Sequence, residues 1–210
     1  LCVIEKKDLI MTDAVVFETD KSEDELSFFY KYKPFINEKD GSMNLEIEHS
    51  QLHNTELEGF NFKDPQIDPV NLSASLVKTM RKYGGYGLSA SQVGLPLKVF
   101  VIESEPAYAV FNPRITYHGE ENVLLEEGCL SYPGLVLKVS RPRFIRARFQ
   151  DPYGDHVTRQ FDGITARVFQ HENDHLLGVD FTEKVSKMKK DMAVKRWRKK
   201  YGRTRLSLPL

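Results

Sequence analysis

The first strong pattern of hydrophobic positions lies within residues 68–85. The apolar residues recur with helical spacing at Leu72, Leu76, Val77 and Met80. Pro69 stands near the start of this pattern and Gly84-Gly85 is a stop signal. The segment therefore predicts a helix whose apolar face packs into the core.

Apolar or alternating stretches further along the chain predict β-strands. They cover Leu97–Ile102, Ala109–Thr116, Asn122–Glu126, Arg143–Gln150 and His156–Phe161. In the fourth stretch one face holds Ile145, Ala147 and Phe149, while Arg146 and Arg148 occupy the other. This alternation is typical of a sheet with one face in water.

Two further helices are predicted towards the C-terminus. Asp162 is suited to N-cap a helix that runs to Leu177, where Gly178 gives a stop signal. One stripe of this helix holds Ile164, Val168, His171 and His175. Because the stripe begins with apolar residues, we expect both histidines to point inward. A last helix is predicted over about Thr182–Tyr201.

Charge divides the chain into three parts. Lys and Arg together number 30, as do Asp and Glu, so the net charge is zero. The charge is nevertheless uneven, with 1–70 acidic and 184–205 strongly basic. We predict an ordered N-terminal extension of unknown function at 1–65, a main domain at 66–183, and a basic C-terminal helix and tail at 184–210.

The two cysteines, Cys2 and Cys129, are too few for a disulfide framework and favour a reducing compartment. The chain has no apolar run of the roughly 18 residues that a membrane span needs, and no secretory signal pattern. We therefore expect a cytoplasmic protein, either bacterial or in the host of a virus, without a membrane partner. An organellar location is left open.

The segment from Gln170 to His175 contains a histidine, a glutamate and a second histidine in the pattern HExxH. Residues four apart lie on one face of a helix, so His171 and His175 can reach one metal ion with Glu172 beside it. Either histidine alone would more simply be a core residue. The combined pattern favours a metal site.

Two candidates for the third ligand can be compared: the position that metzincin proteases use, and Cys129. Metzincin proteases place a third ligand six residues after the second histidine, but that position is Phe181, which cannot bind metal. Cys129 is the better candidate, because a thiolate and two imidazoles leave a fourth position for water. Read by itself, Cys129 is equally well a small buried apolar residue.

Three segments together resemble the signature motifs of the peptide deformylase family, in the same order. They are Gly85-Tyr86-Gly87-Leu88-Ser89-Ala90-Ser91-Gln92-Val93-Gly94, Glu127-Gly128-Cys129-Leu130-Ser131 and Gln170-His171-Glu172-Asn173-Asp174-His175. The resemblance covers about residues 71–183. It implies an α+β fold with mixed or antiparallel sheets around a central helix that carries HExxH, plus a C-terminal helix.

The resemblance also implies a function, the hydrolytic removal of the formyl group from N-formylmethionyl peptides of nascent proteins. Cys129, His171 and His175 would hold one divalent metal ion, Fe²⁺ in the native enzyme, with Zn²⁺, Ni²⁺ or Co²⁺ also compatible. The attacking group would be a metal-bound water, and Glu172 its general acid and base.

Further site residues follow from the same resemblance. The side-chain amide of Gln92 and the backbone N–H of Leu130 would stabilise the negative charge on the formyl oxygen. Gly85 and Gly87, which lack side chains, would let the backbone of the peptide substrate approach this segment closely. The methionine pocket would use Tyr86, Leu130, Val168 and His171, and Glu127 would pair with Arg141 behind the metal ligands.

The expected partners are N-formylmethionyl peptides and, through the basic C-terminal helix, the ribosome. A monomer is expected. Two alternatives stay open from the residues alone: a zincin-type metallopeptidase, and a non-catalytic, metal-stabilised protein that binds the ribosome or RNA.

Overall fold

A computed structural model describes residues 37, 39–45, 57–65 and 67–201. The described residues form three α-helices: α1 (Pro69–Lys82), α2 (Gly163–Leu176) and α3 (Lys187–Tyr201). Short 3₁₀ helices cover Ala90–Val93 and Phe181–Lys184. Residues 1–36, which hold most of the predicted N-terminal extension, lie outside the described part.

The strands form two antiparallel sheets. Their bounds are β1 (Gly87–Ser89), β2 (Val99–Ile102), β3 (Tyr108–His118), β4 (Asn122–Cys129), β5 (Tyr132–Pro142), β6 (Phe144–Gln150) and β7 (His156–Asp162). The larger sheet has the order β1-β2-β3-β6-β7, and the hairpin β4-β5 forms the smaller one. The chain thus leaves the large sheet after β3, builds the hairpin, and returns as β6 beside β3. This agrees with the predicted α+β class.

Helix α1 begins and ends where its sequence signals are. The Asp68 side chain accepts a hydrogen bond from the Asn71 backbone N–H at 2.7 Å, which satisfies one of the otherwise unpaired N–H groups of the first turn. Pro69 is the first helical residue. Beyond the C-cap, Gly84 adopts φ +68°, a conformation that glycine tolerates and that ends the helix. Of the predicted apolar face, Leu72, Leu76 and Met80 are buried and Val77 is half-buried.

The alternation predicted for β6 is confirmed. Ile145, Ala147 and Phe149 are buried, whereas Arg146 and Arg148 are exposed. The buried face packs against the ring of Phe169 on α2. This contact lets the large sheet support the helix that carries the histidines.

Helix α2 is the centre of the molecule. Asp162 caps its N-terminus by accepting from the Gly163 N–H at 2.6 Å, as predicted. Every residue from 166 to 176 is buried, because strands of the large sheet cover one side of the helix and β5 of the hairpin reaches another. A helix enclosed in this way must pair the charged residues that it carries.

Three elements differ from the predictions. The strand β1 is not foreseen, because it has only three residues, Gly87–Ser89. The strand β5 is not foreseen either, because its inward positions include the charged Arg141. The predicted helix at Thr182–Tyr201 is divided. Asp180 caps the 3₁₀ helix by accepting from the Thr182 N–H at 2.7 Å, Val185 is extended, and α3 begins only at Lys187.

Described parts of the predicted N-terminal extension pack into the core. Met43, Leu57 and Phe60 are buried. Glu58 forms a parallel bridge with Leu97, and the Leu57 N–H donates to the Leu176 carbonyl at the end of α2. The packed core therefore reaches further towards the N-terminus than the boundary at residue 65, and the domain limits themselves stay a prediction.

Within the described residues, no helix has both the length and the apolar surface that crossing a membrane requires.

Candidate metal centre

Three side chains from two elements meet in the interior. Cys129 ends strand β4, and His171 and His175 lie on consecutive turns of α2. Their ligand atoms all lie within 4.8 Å of one another. The Sγ atom of Cys129 is 3.3 Å from Nε2 of His175, and all three residues are buried. The structure thus brings together the three ligands predicted from the sequence.

The donor atoms fit a metal ion. Nε2 of His171 is buried without a hydrogen-bond partner among the described residues. Leaving such a nitrogen unpaired costs free energy, whereas a metal ion would use its lone pair. One sulfur and two imidazole nitrogens are a ligand set that divalent transition metals accept.

The neighbours of His171 act on the protonation of its ring. Burial alone would lower the pKa of His171, but contacts with the Cys129 thiol and the Glu127 carboxylate raise that pKa to about 9. Metal ligands must be deprotonated to bind. Metal binding at His171 therefore competes with protonation of the same ring.

Glu172 lies between the two histidines and is also buried, with Oε2 unpaired among the described residues. Burial raises the pKa of this carboxyl, an effect that the charges of His171 and Arg141 oppose. Strand β1 passes directly over it: a Cβ atom added to Gly87 would lie 2.6 Å from Oε1 of Glu172. A carboxylate in this position is suited to exchanging protons with a group bound at the metal site.

Gln92 reaches the same centre from the first 3₁₀ helix. Its Nε2 donates to Sγ of Cys129 at 3.3 Å and to Oγ of Ser131 at 3.2 Å. Its Oε1 accepts from the Ser89 N–H at 3.0 Å. These contacts orient the amide with its N–H groups towards the metal centre, where negative charge would develop during hydrolysis.

The predicted pocket residues surround β1. Leu130 and Val168 are buried, and Tyr86 is half-buried against the apolar cluster that contains Val168. Gly85 and Gly87 are tightly enclosed, since a Cβ atom would lie 2.9 Å from Leu130 at the first position and 2.7 Å from Val168 at the second. The two glycines are therefore required by close packing as well as by any approach of a peptide.

Glu127 and Arg141 form a buried ion pair behind His171. The Arg141 guanidinium donates to both carboxylate oxygens of Glu127, at 2.7 and 3.0 Å. The second oxygen also lies 3.2 Å from Nδ1 of His171. Burial alone would raise the pKa of Glu127, but the hydrogen bonds with His171 and Arg141 hold that pKa well below its ordinary value. The ionised carboxylate fixes the His171 ring with Nε2 towards the metal site.

Sequence reasoning missed three residues of this centre. Arg167 and Asp174 are buried charges on α2 that join the network of Glu127 and Arg141, and Ser131 holds Gln92. A sequence signal could have identified Arg167 and Asp174. Arg167 precedes His171 by four positions and Asp174 follows it by three, which places both near His171 on the helix surface.

The centre combines a buried HExxH helix with a cysteine ligand from a neighbouring hairpin, and it defines a metal-dependent hydrolase. Comparison with known proteins narrows the class: the sequence model described as "Polypeptide deformylase" matches residues 45–191. This chain belongs to the polypeptide deformylase family.

Individual relatives agree with this assignment. The peptide deformylase of Treponema pallidum (strain Nichols) is 41% identical over 125 residues, which are 59% of this chain and 77% of the relative. The crystal structure of peptide deformylase from Thermus thermophilus superposes with a TM-score of 0.69 at 31% identity, covering 76% of this chain and 99% of that one. The enzyme from Synechococcus elongatus, solved in complex with actinonin, gives a TM-score of 0.67 at 29% identity, with coverages of 73% and 86%.

Proposed function

We propose that this chain removes the formyl group from N-formylmethionyl peptides of nascent proteins and releases formate. Its membership of the polypeptide deformylase family supports this activity and not the peptidase or the non-catalytic alternative. The observation that carries the proposal is the meeting of Cys129, His171 and His175 in one buried cluster, next to the unpaired carboxylate oxygen of Glu172.

Cys129, His171 and His175 are the proposed ligands of one divalent metal ion. Ferrous iron is our proposal for the native metal, and Zn²⁺, Ni²⁺ and Co²⁺ are compatible with the same donors. When bound, such an ion supplies a water of lowered pKa and polarises the carbonyl group of the substrate.

Glu172 is the proposed general base and acid. Its Oε2 has no hydrogen-bond partner among the described residues, and burial raises the pKa of the carboxyl, which makes the carboxylate a stronger base towards the attacking water. The departing amine is more basic than a carboxylate, so the same proton can then pass to it. The two transfers together release formate and a peptide with a free N-terminus.

Gln92 and Leu130 are the proposed donors to the formyl oxygen. The Gln92 amide already points at Cys129, and Leu130 follows Cys129 directly in the chain. The Gln92 amide has two N–H groups, which contact Cys129 and Ser131, so donation to the formyl oxygen replaces one of these contacts while the amide stays at the metal centre. A donor held this close needs little reorganisation when the carbonyl oxygen becomes negative.

The edge strand β1 is the proposed binding site for the peptide backbone. It pairs with β2 on one side and is the outer strand of the large sheet, and no strand of the described residues pairs with its other side, where a peptide would add as a further strand. Gly87 keeps this edge close to Glu172, and Gly85 lies against Leu130. Tyr86, Leu130, Val168 and the ring of His171 would enclose the methionine side chain.

A direct assay tests the activity. Protein loaded with metal under anaerobic conditions is incubated with a formyl-methionyl peptide, and formate is measured for the wild type, Glu172→Gln and Glu120→Gln. The last is a matched control, because Glu120 is exposed in the loop before β4. Formate lost only in Glu172→Gln supports the proposal. Cleavage of internal peptide bonds would instead indicate a peptidase, and no product would indicate a binding protein.

The helix α3 is the proposed contact with the ribosome, on which we expect the chain to act as a monomer. Most of its length is exposed, and its last turn holds Arg198, Lys199 and Lys200. Trp197 fixes the helix to the hairpin by donating to the Pro133 carbonyl at 2.9 Å. A rigid basic helix can neutralise the phosphates of ribosomal RNA.

The cytoplasmic location also stays a prediction.

A further inference from the structure

Arg167 is a buried arginine on the helix that carries two of the metal ligands. It lies one turn before His171, and only 3% of it is exposed. Its Nη1 donates to Oε1 of Glu127 and, at 3.0 Å, to the carbonyl of Val139 on β5. Its Nη2 donates to the carbonyl of Val123 on β4 at 2.5 Å. One guanidinium therefore joins α2 to both strands of the hairpin.

This contact completes the hydrogen bonding of the Glu127 carboxylate. Oε1 accepts from Arg141 and Arg167, while Oε2 accepts from Arg141 and contacts Nδ1 of His171. With two partners on each oxygen, the carboxylate has no freedom to rotate away from the His171 ring.

Arg141 alone does not provide the same restraint, because it is shared. Its Nη1 donates to Oδ2 of Asp174 at 2.7 Å, and Asp174 is bound in turn by Lys184. The buried cluster thus contains two carboxylates, Glu127 and Asp174, and Arg167 is the cation that binds Glu127 without also binding Asp174. Removal of Arg167 would leave Glu127 to compete with Asp174 for Arg141.

We infer that Arg167 is a positioning residue for the metal centre, one that holds the Glu127 carboxylate against the ring of His171. The inference rests on the proposed metal site, but not on the identity of the substrate. Since the residue acts through Glu127, its effect on metal binding must depend on Glu127 being present.

A double-mutant cycle tests this dependence. The rate at which Zn²⁺ passes from loaded protein to a colorimetric chelator is measured for the wild type, Arg167→Met, Glu127→Gln and the double variant. We expect Arg167→Met to accelerate release about tenfold or more, in the range typical for residues that orient metal ligands. In the Glu127→Gln background the same substitution should change release by less than about twofold.

The control is Arg148→Met, which removes an exposed arginine of β6 and should leave release unchanged. The melting temperature of each metal-free variant reports structural damage separately. Should Arg167→Met fail to fold, Arg167→Lys takes its place in the cycle. Lysine keeps the charge but cannot reach Glu127 and both carbonyls together, so a severalfold acceleration is expected.

Equal acceleration in both backgrounds would overturn the inference, because Arg167 would then act by general support of the fold. No acceleration in the wild-type background would overturn it as well. Formate production is followed in parallel. If the wild type retains its ion but produces no formate, the proposed function fails, while the cycle on metal release still decides the position of Arg167.

Discussion

Gln92 donates its side-chain amide to the sulfur of Cys129 at 3.3 Å, although the two residues are 37 positions apart. The contact joins the glycine-rich segment to the hairpin that carries Cys129, one of the proposed metal ligands. Ser89 holds the other end of the amide through its backbone N–H. The amide is therefore oriented before any substrate arrives.

This orientation predicts the effect of removing the amide. Gln92→Leu keeps the approximate volume but cannot donate to the formyl oxygen, so we expect kcat to fall about 100-fold or more. Bound metal, measured by elemental analysis, should stay at one ion per chain. Gln160→Leu on the exposed face of β7 is the control. A loss of metal together with activity would contradict a role for Gln92 in stabilising the charge.

Metal binding should stabilise the folded protein. An ion that binds only the folded chain contributes about 2.7 kcal/mol when its free concentration is 100 times the dissociation constant. Thermal unfolding followed with and without Zn²⁺ should show a higher melting temperature for the loaded wild type. Cys129→Ser should lose most of this shift, since a hydroxyl is a poor replacement for thiolate sulfur. An equal shift in both proteins would count against Cys129 as a ligand.

The packing of β1 on Glu172 predicts a strong effect of Gly87→Ala. The added methyl group would lie 2.6 Å from Oε1 of Glu172 and 2.7 Å from Val168, so the strand or the carboxylate must move. We expect kcat/KM to fall at least tenfold, because a displacement of about 1 Å at a reacting group can cost far more. Gly59→Ala, whose nearest neighbour would be an Asn112 side-chain oxygen at 3.3 Å, should have a much smaller effect. Similar losses in the two variants would refute the argument.

Trp197, the sole tryptophan of the chain, attaches α3 to the hairpin. Its ring packs on Tyr132 and its N–H donates to Pro133. Trp197→Phe keeps an aromatic ring but loses that hydrogen bond, and we expect the free energy of unfolding to fall by about 1 kcal/mol. Denaturant unfolding followed by circular dichroism measures the change. Met188→Ala, at a side chain 69% exposed, should be neutral.

Charge reversal on α3 tests the proposed contact with the ribosome. Lys195, Arg196 and Lys199 are exposed, and changing all three to Glu should abolish co-sedimentation with ribosomes at low salt. Hydrolysis of a short formyl-methionyl peptide should continue at the wild-type rate, because these side chains lie outside the proposed active site. Co-sedimentation that survives the reversal and does not weaken with salt would exclude this surface.

Local signals predicted those parts of the fold that depend on nearby residues. Asp162 and the periodic residues after it are enough to locate α2, and the motif around Cys129 is enough to pair it with His171 and His175 through the family resemblance. Arg141 obscured β5, because a charged residue at an inward position does not resemble core, and its second carboxylate partner, Asp174, lies 33 positions away. Arg167 was missed for the same reason: an arginine within a helix normally faces water, and only the assembled partners reveal that this one is enclosed.

The hairpin β4-β5 lies between β3 and β6 in the sequence, and this order determines when the metal site can form. These two strands pair directly with each other, yet the hairpin between them delivers the sulfur, and the nitrogens arrive only with residues 171 and 175. During synthesis, no ion can be held by all three donors until α2 has emerged and packed against the hairpin. A metal-loaded chain is thus one in which the end of β4 and the second half of α2 already lie together.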